Sequence, residues 1–209
     1  MDGNGFIDMR LFFSKTGRAR YISHLDLVRT FTRTIRRAGL PIWYTEGFNR
    51  HPYITFAAPL SLGYEGMEES MDFRLTGELS CDEIEKRLRE AMPPDVTMLR
   101  VCAPVMKLGK VAFSRYLIKI EKGAQWLAER LAAETIIVEK RTKKGIVKEI
   151  DIKPHLREIE LRQDDDRCEL TVTLPSGSDL NINPKLLVGA LECEIIRLAV
   201  LNGEGEVFC

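Results

Sequence analysis

The residues of this chain best suited to chemistry are concentrated in one region near its start. Two of the three histidines, His24 and His51, flank a run of arginines: Arg29, Arg33, Arg36 and Arg37. An imidazole can accept a proton, and a guanidinium can stabilise the charge that develops on a phosphate. The set therefore suits either phosphate binding or cleavage of RNA without a metal.

His24 supports two interpretations. Ser23 is a good N-cap residue and Asp26 lies three residues later, so His24 should stand at the first turn of a helix, where the dipole favours the neutral ring. If Asp26 orients that ring, His24 could act as a general base on a ribose hydroxyl, with Arg29 or Arg33 stabilising the phosphorane. In the alternative, His24 and Asp26 only complete the helix cap.

A loop of mixed polar and aromatic residues follows, Gly47-Phe48-Asn49-Arg50-His51-Pro52-Tyr53. Asn49 and His51 offer hydrogen bonds, and Phe48 or Tyr53 offers a face on which a base can stack, which indicates a binding loop. In the alternative, Gly47 and Asn49 make a tight turn while Phe48 fills the core. No local ligand spacing supports a metal site, and we expect no metal and no cofactor.

Charge is segregated along the chain although the formal net charge is zero. Residues 10–50 carry nine Lys/Arg against Asp26 and Glu46, whereas residues 65–95 carry ten Asp/Glu against four Lys/Arg. The helical spacing of Arg29, Arg33, Arg36 and Arg37 places them on one face, which could meet phosphates, an acidic partner or the acidic segment itself. A further basic stretch begins at Lys140.

The composition favours a globular protein that is soluble and cytoplasmic, without a membrane span. There is no run of 18 apolar residues, and the first residues are polar and acidic. The five cysteines include no Cys-x-x-Cys pair, so we expect reduced thiols and no iron-sulfur cluster.

The periodicity predicts an α+β fold with two lobes, residues 9–104 and 111–209, each a ferredoxin-like βαββαβ arrangement with an antiparallel sheet, helices on one face and the other face free to bind. In the first half we expect strands at 9–15, 41–44, 70–75 and 96–102, a strand or extended segment at 53–57, and helices from Ser23 to Gly39 and at 81–91. In the second half we expect strands at 113–121, 135–140, 146–152, 156–161 and 168–174, a turn at 143–145, and helices at 124–132 and from Asn183 through Ile195.

Several short motifs together resemble the radical SAM-linked protein family, a bacterial group of uncharacterised proteins. They are Phe13-Ser14-Lys15-Thr16-Gly17, Tyr21-Ile22-Ser23-His24-Leu25-Asp26, Arg36-Arg37-Ala38-Gly39-Leu40-Pro41, Gly47-Phe48-Asn49, His51-Pro52 and Pro59-Leu60-Ser61-Leu62-Gly63. One departure is Arg50, where the family pattern usually has proline. The resemblance implies a partnership with a radical S-adenosylmethionine protein, but it implies no particular cellular function.

Three functions follow as hypotheses. The first is a non-catalytic RNA-binding or adaptor protein that works with a separate radical S-adenosylmethionine enzyme, for instance in transfer or ribosomal RNA modification. Its RNA-binding residues would be Arg29, Arg33, Arg36, Arg37, Phe48, Asn49, Arg50, His51 and Tyr53. The second is a metal-independent endoribonuclease with His24 as general base and Asp26 beside it. The third is a protein-docking module that binds no nucleic acid.

Overall fold

The computed structural model describes residues 5–141, 145 and 147–209. The chain divides into two compact units, one running up to Leu108 and including Cys209, the other comprising Gly109–Phe208. Residues 142–144, which belong to the predicted basic stretch and turn, lie outside the described residues, as does residue 146 at the start of a predicted strand.

The first unit follows the order βαββαβ. Its elements are β1 (Ile7–Lys15), α1 (His24–Arg37), β2 (Ile54–Phe56), β3 (Glu65–Leu75), α2 (Cys81–Ala91) and β4 (Val96–Cys102), with a short 3₁₀ helix at Gly17–Tyr21 between β1 and α1. The strands lie in the order β4-β1-β3-β2, and each neighbouring pair is antiparallel. In the β1–β3 pair, Leu11 lies opposite Met71.

The two helices of this unit share one core on one face of the sheet. Odd-numbered residues of β1 and β3, such as Leu11 and Phe73, are fully buried together with Phe31 of α1 and Leu88 of α2. This period of two is what a strand with one face on a core requires. Both helices are amphipathic and bury a single stripe.

The opposite face of this sheet is not open, contrary to the expectation from sequence. Arg10, Phe12 and Ser70 point to that face and are all buried. Arg10 is fully buried and donates two hydrogen bonds to Asp72, at 2.6 and 2.9 Å, and a third of 2.8 Å to the Met106 carbonyl. A buried guanidinium is tolerated because it has a carboxylate partner in bidentate geometry.

The predicted strand at residues 41–44 is present only as isolated bridges. Ile42 pairs with Leu75, and Tyr44 pairs with Pro52. Pro41 can donate no backbone hydrogen bond, and the chain turns away into the loop that follows.

The second unit contains an additional hairpin, so its element order departs from βαββαβ. Its elements are β5 (Phe113–Ile120), α3 (Ala124–Ala132), β6 (Ile137–Arg141), β7 (Val147–Asp151), β8 (Arg157–Asp164), β9 (Arg167–Pro175), α4 (Pro184–Val188) and β10 (Cys193–Leu201). The main strands lie in the order β10-β5-β9-β8, all antiparallel, and β6 pairs only with β7.

The last predicted helix is much shorter than expected. α4 ends at Val188, because Gly189 adopts a positive φ of 59°, and residues 193–201 form strand β10 instead. The apolar residues at 186, 187, 190, 191 and 195 have helical spacing, but Ile195 and Ile196 belong to a run whose β-branched side chains suit a strand.

The fold is therefore of the mixed α+β class, with sheets built from antiparallel pairs and few helices. Within the described ranges, no helix combines the length and the apolar content that crossing a bilayer requires.

Candidate nucleic-acid interface

Helix α1 carries the arginines, and its cap fixes where the helix begins. Ser23 is extended, and its Oγ accepts a hydrogen bond of 3.2 Å from the Asp26 backbone N–H. The inward stripe consists of Leu27, Phe31 and Ile35, at the i, i+4 spacing of one helix face. Leu25 lies outside that stripe and is 68% exposed.

The four arginines of α1 are all exposed, but they differ in their partners. Arg29 pairs with Asp26 at 2.9 Å. Arg37 donates to the Ala91 carbonyl at 2.7 Å and to the Thr34 hydroxyl at 3.3 Å. The Arg33 side chain makes no hydrogen bond or ion pair with any residue in the described ranges.

Arg36 joins this helix to the loop that follows. Its Nε donates a hydrogen bond of 3.2 Å to the Tyr44 hydroxyl, and its guanidinium lies 5.9 Å from the centre of the Tyr44 ring. Tyr44 in turn pairs with Pro52. The arginine face of α1 therefore lies beside the base of the loop.

Residues 43–53 form a narrow hairpin. The Thr45 N–H donates to the His51 carbonyl at 2.9 Å, and the Tyr53 N–H donates to the Trp43 carbonyl at 3.1 Å. Gly47 has a φ of 111°, a conformation that favours glycine and allows the turn at the tip. We call residues 43–53 the tip hairpin.

The tip hairpin places Phe48 in solvent. Phe48 is fully exposed, at 111% of the reference area for the residue, and its neighbours from Glu46 to His51 are exposed as well. The alternative in which Phe48 fills the core is therefore wrong. An unburied aromatic ring at a loop tip is available to stack on a ligand.

His51 stabilises the tip hairpin from within. Its backbone N–H donates to the Thr45 hydroxyl at 3.2 Å, and its Nδ1 lies 3.0 Å from the Asn49 carbonyl oxygen and 3.2 Å from Thr45 Oγ1. These bonds cross the turn and restrict the tip. Arg50, beside it, is exposed and makes no hydrogen bond or ion pair with a described residue.

Tyr53 lies in a cluster of aromatic rings around Arg74. The Arg74 guanidinium lies 4.1 Å from the Tyr53 ring centre and 4.0 Å from that of Phe6, and it donates to Asp8 at 2.6 Å. Trp43 packs against Tyr53 with ring centres 6.0 Å apart. The Tyr53 ring thus already has a stacking partner, which leaves Phe48 as the open aromatic surface of the loop.

His24 and Asp26 do not contact each other as a catalytic pair would. The Asp26 carboxylate accepts from the Ser23 hydroxyl at 2.8 Å and from Arg29. The Ser23 hydrogen bond, followed by that from Arg29, lowers the pKa of Asp26. The His24 ring packs edge-on against Phe56 with centres 5.2 Å apart, and its buried Nδ1 has no hydrogen-bond partner within the described part of the chain.

The start of α1 is supported by a buried lysine, Lys15, that the sequence analysis did not identify. Lys15 is 1% exposed, and its Nζ donates to the carbonyls of Arg20 and Ile22 at 3.3 and 3.2 Å. These bonds hold the 3₁₀ helix that leads into Ser23. The signal available was the motif Phe13-Ser14-Lys15-Thr16-Gly17, where a lysine ends strand β1 shortly after the buried pair Phe12 and Phe13.

The acidic segment 65–95 has its own partners. It pairs with Arg10 through Asp72, with Arg18 through Asp95, with Arg20 through Glu65 and with Arg100 through Glu68. In the part of the chain that the structure describes, it forms no ion pair with an arginine of α1. Among all the residues that the structure describes, no group of three or more His, Cys, Asp or Glu is placed to hold a metal ion.

Among the solved structures that match this chain is an unknown protein from Galdieria sulphuraria. The match covers 93% of this chain and 99% of that one at 13% identity, with a TM-score of 0.27, a likeness too weak to carry an argument. A search of curated proteins found no match.

A bacterial family model matches residues 9–184, a range that includes the whole arginine face of α1 and the tip hairpin. Its description is "Uncharacterized protein conserved in bacteria (DUF2344)". The match covers far more than half of the 209 residues. The chain therefore belongs to this family of uncharacterised proteins conserved in bacteria.

Proposed function

We propose that this protein is a non-catalytic RNA-binding adaptor that works with a separate radical S-adenosylmethionine enzyme. The RNA would lie along the arginine face of α1 and stack on the tip hairpin. The partner enzyme follows from the resemblance of the sequence motifs to the radical SAM-linked family and has no support from geometry.

One observation carries the RNA proposal, the contact of Arg36 with Tyr44. It holds a helix face of exposed arginines beside a hairpin that presents Phe48 to solvent. Arginines that bind phosphates, next to an aromatic ring that stacks on a base, are the combination by which proteins bind single-stranded RNA. Arg33 and Arg50 have no competing carboxylate among the described residues, which favours an external anion.

We also infer that each unit is a ferredoxin-like lobe. The strand orders β4-β1-β3-β2 and β10-β5-β9-β8 agree if β10, β5, β9 and β8 take the places of β4, β1, β3 and β2. The hairpin β6–β7 is then an insertion between α3 and β8. Antiparallel lobes of this order recur among proteins that bind RNA, although fold alone does not assign a function.

The endoribonuclease hypothesis needs an oriented base, and the geometry favours the adaptor over it. Asp26 is engaged by Ser23 and Arg29, and the His24 ring faces Phe56. A general base needs a hydrogen bond that fixes its tautomer and aims it at the substrate.

The test is retention of total cellular RNA by the purified protein in the presence of a chelator. Arg33→Ala and Phe48→Ala should each weaken retention, whereas Arg89→Ala and Val105→Ala, which remove an exposed arginine and an exposed apolar side chain elsewhere in the same unit, should not. Absence of retention at low salt would refute the proposal. Cleavage that disappears in His24→Ala would instead identify a ribonuclease.

The partner is tested separately in the bacterium that makes the protein. A tagged chain should co-purify with a radical S-adenosylmethionine enzyme identified by mass spectrometry. Recovery of the tagged chain with RNA but without such an enzyme would contradict the partnership and leave the RNA contact standing.

A further inference from the structure

The second unit contains a cleft that the proposed RNA contact does not use. Its volume is about 440 Å³, within the range of about 300–1,000 Å³ that is usual for small-molecule sites. Four segments line it. They are the chain entering β5, residues 155–157 at the start of β8, the loop after β9, and the turn after β10.

One wall of this cleft is a flat cation held on an aromatic ring. The Arg157 guanidinium lies 4.0 Å from the centre of the Phe113 ring. The Arg157 side chain is exposed and makes no hydrogen bond or ion pair with a residue in the described ranges. The carboxylate of the adjacent Glu158 is bound to Thr173 at 2.7 Å and to Arg115 at 2.6 Å, and Arg157 acts on it through its charge without a hydrogen bond. A supported guanidinium plane is a platform on which a nucleobase can stack.

The other wall offers acceptors and open backbone. Asp179 and Glu204 are among the lining residues, and the Asp179 carboxylate accepts a hydrogen bond of 3.3 Å from the Ser178 hydroxyl. Gly177 lies so close to the chain entering β5 that an added Cβ would be 3.1 Å from the Val111 carbonyl oxygen, whereas Gly203 has open space where a Cβ would lie. Carboxylates repel a phosphate but accept hydrogen bonds from the amino group of a base.

The backbone of the cleft is fixed by hydrogen bonds. Ala112 accepts from the Ser176 N–H and donates to the Leu201 carbonyl, both at 2.9 Å. The Glu204 N–H donates to the Asn202 side-chain oxygen at 3.0 Å. The walls are therefore held in place without a ligand, which reduces the entropy lost when a ligand binds.

Basic residues line the cleft and lie on the β6–β7 hairpin. Lys110 and His155 line the cleft itself. Lys140 and Lys148 are directly opposite each other in the hairpin, and the Lys140 Nζ donates at 2.7 Å to the carbonyl of Asn181, just beyond the cleft-lining loop. Like charges directly opposite each other in a sheet are unfavourable, and a phosphate nearby would relieve this repulsion.

We infer that this cleft binds one unpaired RNA nucleotide whose base carries an amino group. The base stacks on the Arg157 plane, its amino group donates to Asp179 or Glu204, and the flanking phosphates lie near Lys110 and the hairpin lysines. The inference rests on the proposed RNA-binding function and adds a second contact with a preference among bases.

The test uses the full chain and fluorescent single-stranded 12-mers of cytidine and uridine. Arg157→Ala and Arg157→Lys should weaken binding of the cytidine 12-mer about tenfold, because a lysine keeps the charge but not the plane. The matched control is Arg162→Ala, an arginine on the same strand with its side chain 75% exposed. The double variant Asp179→Asn, Glu204→Gln should lose the preference for cytidine over uridine. Equal binding by the Arg157 and Arg162 variants would overturn the inference.

A second measurement separates this inference from the RNA contact of the first unit. In the double variant Arg33→Ala, Phe48→Ala, which lacks the proposed contact of the first unit, cytidine 5′-monophosphate should still shift the NMR signals of Phe113 and His155. Shifts there without RNA retention by the wild-type chain would refute the proposed function and retain the cleft. RNA retention without such shifts would refute the inference about the cleft and leave the proposed function standing.

Discussion

Phe48 is the residue on which the proposed RNA contact depends most. It is fully exposed at the end of a hairpin that His51 and Thr45 hold together by hydrogen bonds. A large aromatic side chain in solvent contributes nothing to the core, so its effect should appear in binding and not in folding.

Phe48→Ala should therefore separate the two quantities. The free energy of unfolding should change by less than about 0.5 kcal/mol, as for surface substitutions without partners. RNA affinity should fall by about 1–3 kcal/mol, the usual contribution of one stacked base. Chemical denaturation and fluorescence anisotropy measure the two, and a loss of stability without a loss of affinity would contradict the assignment.

Asp26 provides a pH-dependent prediction at the same scale. Its pKa is lowered by the Ser23 hydroxyl and then by Arg29, so the ionised form stabilises the folded state above the pKa of the unfolded chain. That contribution is lost as the pH falls through the lowered folded value. Asp26→Asn should therefore be less stable than the wild type at neutral pH, and the difference should vanish in acid. A difference independent of pH would contradict the assignment.

Among the helices and strands, α1 carries the proposed binding residues. A substitution at its N-cap, Ser23, can loosen this helix without changing those residues. Ser23 accepts from the Asp26 N–H as Ser80 accepts from the Glu83 N–H at the start of α2, both at 3.2 Å. The two caps are chemically alike, but only α1 carries the proposed RNA contacts.

Ser23→Ala and Ser80→Ala should each destabilise the protein by about 1 kcal/mol, the usual cost of losing a serine N-cap. Only Ser23→Ala should also weaken RNA binding, because it loosens the helix that holds Arg29 and Arg33. Thermal unfolding and anisotropy measure the pair. An equal loss of RNA affinity in both variants would mean that the effect is general and not local to α1.

Sequence patterns predicted the positions of helices and strands better than they predicted which faces of the sheet are buried. β4 lies at residues 96–102 as expected, because its alternation and the preceding prolines are local signals. The burial of Arg10 and Phe12 was missed, because it depends on long-range packing that alternation does not reveal. β10 was missed because its residues fit a helical period as well.

The sequence also groups residues whose surroundings differ in the structure, such as Phe48 and Tyr53. In the loop at 47–53, either Phe48 or Tyr53 was expected to offer a stacking face, yet the Tyr53 ring packs on Arg74 whereas Phe48 is exposed. That distinction depends on Trp43, Phe6 and Arg74, which are distant in sequence from one another. Pairing of Asp26 with Arg29 and not with His24 depends on side-chain rotamers, which a spacing rule does not determine.

At the scale of the whole molecule, the segregation of charge matters more than the net charge of zero. The acidic segment 65–95 pairs with arginines outside α1, including Arg10 and Arg100. Among the described residues, no carboxylate of that segment pairs with an arginine of α1, so these arginines can make the proposed contacts with phosphate.

This charge distribution predicts the salt dependence of RNA binding. Each phosphate contact that is removed should reduce the slope of log affinity against log salt by about 0.7 to 0.9. Arg33→Ala should show that reduction, whereas Arg89→Ala should keep the wild-type slope. A wild-type slope near zero would contradict an ionic contact with RNA.

The most direct measurement of the RNA contact is photocrosslinking from position 48 in living cells. A benzophenone amino acid replaces Phe48, and in a matched control it replaces Val105, which is 77% exposed in the same unit. Irradiation should attach RNA to the chain from position 48 and not from position 105. Crosslinks from position 48 to protein alone would contradict the RNA-binding function and support a docking module.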